Sequence, residues 1–148
     1  MAKAAHEVDN LGTIKLIDAA KASGSITKIV LVSSILTNGR GWGQEKSPGF
    51  VMTNAFGNAL DEKLVAENYL RNCGIDYTIV RPGGLSSKPP LGKLVIGKED
   101  TLNSGEISRD TVAAVCVAAL TDKRASNKVL EIYEDDTAEV SEFTGLNL

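Results

Sequence analysis

Ile29, Val30, Leu31 and Val32 follow one another without a polar break, between Lys28 and the pair Ser33-Ser34. A short unbroken apolar run fits a strand covered on both faces, as in a parallel sheet. Asp76-Tyr77-Thr78-Ile79-Val80-Arg81 is a second β-rich run, stopped by Pro82-Gly83-Gly84. Lys128-Val129-Leu130-Glu131-Ile132-Tyr133 is a third. Between these runs the apolar period lengthens. Val8, Leu11, Gly12, Leu16, Ala19 and Ala20 fall near one side of a helix over 8–22, which ends at Lys21 and Gly24. Phe56, Leu60, Leu64, Glu67 and Leu70 mark the inner edge of a helix from about Asn54 to Cys73, ended by Gly74. Ser108 caps a third helix, in which Val112, Val115, Cys116, Ala119 and Leu120 form an amphipathic stripe.

The order is helix, strand, helix, strand, helix, strand. It implies right-handed crossovers and predicts an α/β fold, part of a doubly wound parallel sheet of about three strands with flanking helices. Ligands of such sheets sit at the carboxyl ends of the strands. Two segments leave those ends here. Ser33-Ser34 opens a glycine-rich stretch through Gly39, Gly41, Gly43 and Gly49, which reads as a flexible, lid-like loop. Arg81-Pro82-Gly83-Gly84 opens an irregular stretch through Pro89-Pro90 to Gly105, the kind of long loop that is functional or disordered. Residues 1–134 are expected to form the domain, and 135–148 an acidic tail with little to pack.

Composition narrows the classes. The 148 residues suit one domain of ordinary usage, 43% hydrophobic and 24% charged. A net charge of -3 builds no broad electropositive face, so nucleic acid is not an expected partner. No apolar run approaches the roughly 18 residues of a membrane span. Cys73, Cys116 and His6 match no zinc or disulfide spacing and read as two reduced thiols and a histidine ill-placed for a catalytic triad. The start, Met1 to His6, has neither a signal core nor the make-up of a transit peptide. The expectation is a cytoplasmic protein, or a chain that begins after any targeting segment. Two glycine motifs fail on register. Gly39-x-Gly41-x-Gly43 would need a further glycine where Gln44 or Lys46 stands, and Gly92-x-x-x-x-Gly97-Lys98 is followed by Glu99 where a phosphate loop needs a hydroxyl.

Longer stretches carry a family likeness. Val8-Asp9-Asn10-Leu11-Gly12-Thr13, then Leu16-Ile17-Asp18-Ala19-Ala20, resembles the central helix of the atypical short-chain dehydrogenases/reductases. Val30-Leu31-Val32-Ser33-Ser34 resembles the strand that ends in that family's active-site serine. Lys63-x-x-Ala66-Glu67 and the run from Gly74 to Leu85 are similar to the NAD(P)-binding, NmrA-like branch. So is Glu99-Asp100-Thr101-Leu102 followed by Gly105-x-Ile107-Ser108-Arg109. Within that branch the likeness is to plant plastid, import-associated reductase-like proteins. It spans about residues 8–134.

The resemblance implies a Rossmann-type sheet, NAD or NADP as cofactor, a small-molecule substrate and a chloroplast location. It implies that Ser34, with Ser33 beside it, hydrogen-bonds the substrate carbonyl or the nicotinamide end. Lys63 would hold the nicotinamide ribose, and Arg81, Pro82, Gly83, Gly84 and Leu85 would bring backbone to the nicotinamide amide. Without the resemblance, the serines merely close a strand, Lys63 pairs Glu67 one turn on, and Arg81 to Gly84 is a strand-ending turn. The family's tyrosine, four residues before its lysine, is here Ala59, which has no proton to donate. The resemblance further implies that the strands are the fifth to seventh of the family's sheet, with the phosphate-binding glycine segment outside this sequence. The strand around Leu31 then has an open edge, which favours self-association. Two functions are expected: an NAD(P)-binding reductase-like protein, or a non-catalytic partial domain serving interaction or regulation.

Overall fold

The computed structural model describes residues 2–90 and 92–137. Its main elements, in chain order, are α1 (Thr13–Ser23), β1 (Lys28–Val32), α2 (Pro48–Asn54), α3 (Ala59–Arg71), β2 (Asp76–Pro82), β3 (Gly84–Ser86), β4 (Lys93–Gly97), β5 (Glu106–Ser108), α4 (Arg109–Thr121) and β6 (Lys128–Asp135). A helical turn at Ala2–Ala4 and a π-helical segment at Ala5–Gly12 lead into α1. The three apolar runs become β1, β2 and β6. β2 lies between the other two and pairs with both in parallel, Leu31 facing Ile79 and Val80 facing Leu130.

Alternation along the strands divides the core into two layers, one on each face of the sheet. Ile79 packs with Ile17 of α1 and with Leu70 and Cys73 at the end of α3. Val80, Leu130 and Ile132 pack with Val112, Val115 and Ala119 of α4. Helices therefore cover both faces, as the doubly wound reading expects. Ser108 caps α4 by accepting from the Thr111 amide at 3.1 Å.

Four local expectations need correction. The stretch from Leu85 to Gly105 is not a plain loop. It holds β4, which pairs antiparallel with β6, and β3, which pairs in parallel with β5. Leu94 and Ile96 of β4 pack onto the α4 layer and Val95 between them is half-buried, so a strand at the sheet edge forms where only a short apolar run was visible. The helix expected over 54–73 starts later, at Ala59 of α3, and α2, ending at Asn54, forms in the stretch read as a loop. Gly57 and Asn58 take left-handed backbone (φ +91° and +56°) between them, and Phe56 is left 57% exposed, off the inner edge.

The first helical stripe is also rotated. Val8 and Leu16 are 66% and 73% exposed, and Ala5, Asn10 and Ile17 are buried instead. A π-helical turn closes at i to i+5, so it shifts the face that later residues present. Finally, the glycine-rich segment after β1 is packed rather than lid-like. Ile35, Leu36, Thr37 and Gly39 are buried, and Ile35 and Leu36 form a third cluster with Phe50 and Leu60. A Cβ on Gly39 would stand 2.5 Å from the Phe50 ring.

The sheet order is β1-β2-β6-β4, so the outer edge of β1 has no strand partner among the described residues. Val32, at the end of that edge, is 44% exposed. Most of the acidic tail, residues 138–148, lies outside the described residues. No helix among the described residues is long and apolar enough to cross a membrane.

Candidate functional site

The hydrogen-bond ladder between β1 and β2 continues past β1. The Ser33 amide donates to the Val80 carbonyl at 2.7 Å and the Ile35 amide to the Pro82 carbonyl at 3.1 Å. This extension holds the serine pair level with the end of β2. Ser33 is buried, with its Oγ 3.2 Å from Thr37 Oγ1. Thr37 Oγ1 donates to the Ser34 carbonyl at 2.6 Å. The Ser34 hydroxyl is half-buried and makes no hydrogen bond among the described residues, so it is free to donate to a ligand.

A shallow pocket opens beside these residues. Asp9, Thr13, Leu31, Val32, Ser33 and Lys63 line it. Lys63 reaches it from α3, with its Nζ 2.7 Å from Asp9 Oδ1. Lys63 therefore does not pair with Glu67, as helical spacing alone allowed. Nearby, Glu62 Oε2 accepts from Asn10 Nδ2 at 2.6 Å and lies 3.0 Å from His6 Nδ1. The Asn10 and His6 hydrogen bonds hold the Glu62 carboxyl below the usual carboxylate range, against a smaller opposing effect of burial. The buried Asn10 Oδ1 has no hydrogen-bond partner among the described residues.

Arg81 is placed differently from the other expected residues. Its side chain is wholly buried, and its five N–H donors meet carboxylate oxygens. Glu67 takes Nε and Nη2 at 3.0 and 2.7 Å. Asp100 and Glu131 take Nη1 at 2.8 and 3.2 Å, and Glu99 takes Nη2 at 3.4 Å. Burial disfavours the charge, but the hydrogen bonds and charge of Glu67 outweigh it and raise the Arg81 pKa above the ordinary arginine value. The guanidinium is thus fully used inside the protein.

Beyond Arg81, the chain turns at glycines. Gly83 donates to the Ile132 carbonyl at 2.9 Å, and Gly84 to the Gly105 carbonyl at 2.8 Å. Leu85 follows, exposed on β3. Ala59 stands at the start of α3, where the resemblance puts a tyrosine. Tyr69 is no replacement, because its hydroxyl donates to Asp18 of α1 at 2.5 Å. Tyr77 packs in the α1/α3 layer.

Ser33 and Lys63 thus share one pocket. Ser34 adjoins it in the chain, and the Gly83-Gly84 turn is bonded to the same strand end through Pro82. A hydroxyl, an ammonium and close-approaching backbone suit a polar ligand with carbonyl and hydroxyl groups. No side chain at the tyrosine position offers a proton. Residues 1–123 match the model of a family described as NAD(P)H-binding. The chain belongs to that family.

This NAD(P)H-binding family member is 52% identical over 126 residues to an uncharacterized chloroplastic protein of Arabidopsis thaliana, spanning 85% of this chain and 45% of that one. It is 36% identical over 131 residues to the sanguinarine reductase of Eschscholzia californica, spanning 86% of this chain and 45% of that enzyme. Among solved structures, the anaerobillin reductase ChuY of Escherichia coli O157:H7 superposes with a TM-score of 0.73 at 30% identity, over 89% of this chain and 61% of that one. The chain spans about half the length of the curated relatives it matches. The match bears out the likeness to NAD(P)-binding, NmrA-like reductases and the Rossmann-type sheet.

Sequence reasoning did not single out Asp9 and Thr13 as site residues. Both lie inside the Val8–Thr13 stretch that carried the resemblance, so the signal was present without its geometry. Glu67 and Asp100 also lie inside stretches that carried the resemblance, whereas Glu131 gave no such sign, because a buried carboxylate looks like a surface one in a single sequence.

Proposed function

We propose that this chain forms the nicotinamide and substrate half of a reductase-like nicotinamide dinucleotide site. The observation that carries the reading is the pocket at the end of β1, where Ser33 and Lys63 meet Asp9 and Thr13. The nicotinamide ring would lie against the exposed backbone at Gly84, since the space beside Gly83 is taken by the Gly105 backbone. Lys63, steered by Asp9, would hold the ribose hydroxyls, and the free Ser34 hydroxyl would hydrogen-bond the substrate carbonyl. The dinucleotide, when bound, supplies a hydride. With Ala59 in place of tyrosine, the proton would come from water. One relative and one similar solved structure are named as reductases, which favours reduction of a small molecule. The chloroplastic relative favours a plastid location.

Titration with NADPH and NADH, followed by nicotinamide fluorescence, tests the reading. Saturable binding is expected, and Lys63→Ala should weaken it about tenfold, the loss of one charge-assisted hydrogen bond. No saturable change at millimolar nucleotide refutes the reading. A second reading, a non-catalytic interaction or regulatory module, is favoured by Ala59. Turnover that Ser34→Ala abolishes would exclude it.

The open edge of β1 would pair with a strand from a second copy. An uncapped edge with an exposed apolar end favours such pairing. Sedimentation should show concentration-dependent association that Val32→Lys shifts toward monomer. A monodisperse monomer at high concentration would count against it.

A further inference from the structure

Three successive amides converge on one buried carboxylate. The Asp100 amide donates to Glu131 Oε1 at 3.0 Å, and the Thr101 and Leu102 amides donate to Glu131 Oε2 at 3.0 and 2.7 Å. The fourth bond to Glu131 comes from Arg81 Nη1. Amides that converge at a tight turn make a concavity for an anion, and Asp100, at φ +60°, supplies the left-handed residue that aims them. Here the anion is a side chain of the central sheet. Arg81 and Glu131 are register partners on β2 and β6, and neither is exposed at all.

From this anchor the 99–105 segment touches both turns of the site. Asp100 Oδ2 accepts from Asn38 Nδ2 at 2.7 Å, in the segment that follows Ser33 and Ser34. Leu102 packs against the cluster of Leu36 and Phe50. The Gly105 carbonyl accepts from the Gly84 amide. The segment is therefore a strap between the serine turn and the glycine turn, and its midpoint is fastened to the sheet.

We propose that Glu131, backed by Arg81, is a positioning residue for the nicotinamide end of the site, acting through the 99–105 strap. The inference rests on the nicotinamide reading above. Glu131 touches no ligand. It fixes how far apart the serine turn and the glycine turn stand, which is the space a nicotinamide ring must enter. An apolar side chain could fill the same volume, but only an anion can gather the three amides.

The test is Glu131→Gln, which keeps the size but turns an NH2 group toward amide and guanidinium donors. The amides of residues 100–102 should exchange with solvent about tenfold faster, and NADPH should bind about tenfold more weakly. Amides of β1 should keep their protection. Thr78→Val is the stability control, since it removes the buried bond from Thr78 Oγ1 to the Ala125 carbonyl (2.7 Å) at the other end of β2. It should lower the unfolding midpoint and leave NADPH affinity unchanged. If Glu131→Gln does not fold, Asn38→Ala cuts the outer end of the same strap and should weaken NADPH several-fold. A variant that folds, keeps 100–102 protected and binds NADPH as the parent does overturns the proposal, and so does weakening no greater than that of Thr78→Val. A parent chain that binds no NADPH removes the nicotinamide reading itself, and the positioning role with it. A parent that binds alongside an unaffected Glu131→Gln removes the positioning role alone.

Discussion

Arg81→Met is expected to lower the unfolding free energy by about 3–5 kcal/mol, because it leaves buried carboxylates without their cation. Glu67 and Glu131 are as fully buried as Arg81 itself. A methionine fills much of the space but donates nothing. Glu67 keeps a contact to Arg71 at 3.6 Å, and Glu131 keeps its three amides, so the loss falls short of two bare charges. Against a typical stability of about 5–15 kcal/mol, this takes a large share. Urea denaturation of parent and variant measures it. Arg81→Lys should rescue little, since one ammonium cannot reproduce five donors in a planar fork. Arg81→Met combined with Glu67→Leu should recover part of the loss, because the second change removes one of the stranded charges. A single-variant loss below about 1 kcal/mol, the size of an exposed pair, would show that the cluster is not the buried network described here.

Gly83→Ala is the second large effect, and its origin is steric. A Cβ on Gly83 would stand 2.5 Å from the Gly105 oxygen and 2.8 Å from its carbonyl carbon. Both are backbone atoms, so no side chain can rotate away. The turn after β2 and the start of β5 must separate. The Gly84 to Gly105 hydrogen bond and the β3–β5 pairing are the first contacts strained. Overpacking of this kind costs about 1–3 kcal/mol. The neighbouring glycine is the natural control. A Cβ on Gly84 would meet the same oxygen at 3.5 Å, an ordinary contact. Thermal unfolding should therefore separate the two alanine variants, with Gly83→Ala several degrees below Gly84→Ala. Equal midpoints would refute the steric account. On the proposed function, nicotinamide binding should fall with Gly83→Ala as well.

The parallel strands were legible because burial on both faces leaves an unbroken aliphatic run, as at Ile29 to Val32. The cap at Ser108 was legible because capping is a matter of a few neighbouring residues. β4 was not, since its aliphatic run, Leu94-Val95-Ile96, is only three residues long and stands between turn-forming residues, Pro89-Pro90 and Gly92 before it and Gly97 after it. The exposed Val8 and Leu16 show another limit. Periodicity assumes one helical pitch, and the π-helical segment breaks that assumption. At the site, Ser33 and Lys63 could be named from the motif, but the partner of Lys63 lies 54 residues away, in a helix that local spacing does not connect to it. Arg81 was visible as a strand-ending residue. That its charge is spent on Glu67, Glu99, Asp100 and Glu131 depends on four separate segments coming together, which no spacing encodes.

The change of pitch at Gly12 lets one helical run face two ways. After it, α1 turns Ile17 to the sheet. Before it, the wider turn aims Asp9 at Lys63 and Asn10 at Glu62. A uniform α-helix advances about 100° per residue and keeps a single stripe along its length. Here a built-in rotation separates the half that turns Ile17 to the core from the half that turns Asp9 and Asn10 to α3. Substitutions that repack Ile17 need not swing Asp9, and changes that retune Asp9 need not disturb the core. The two halves are free to diverge at different rates within one element.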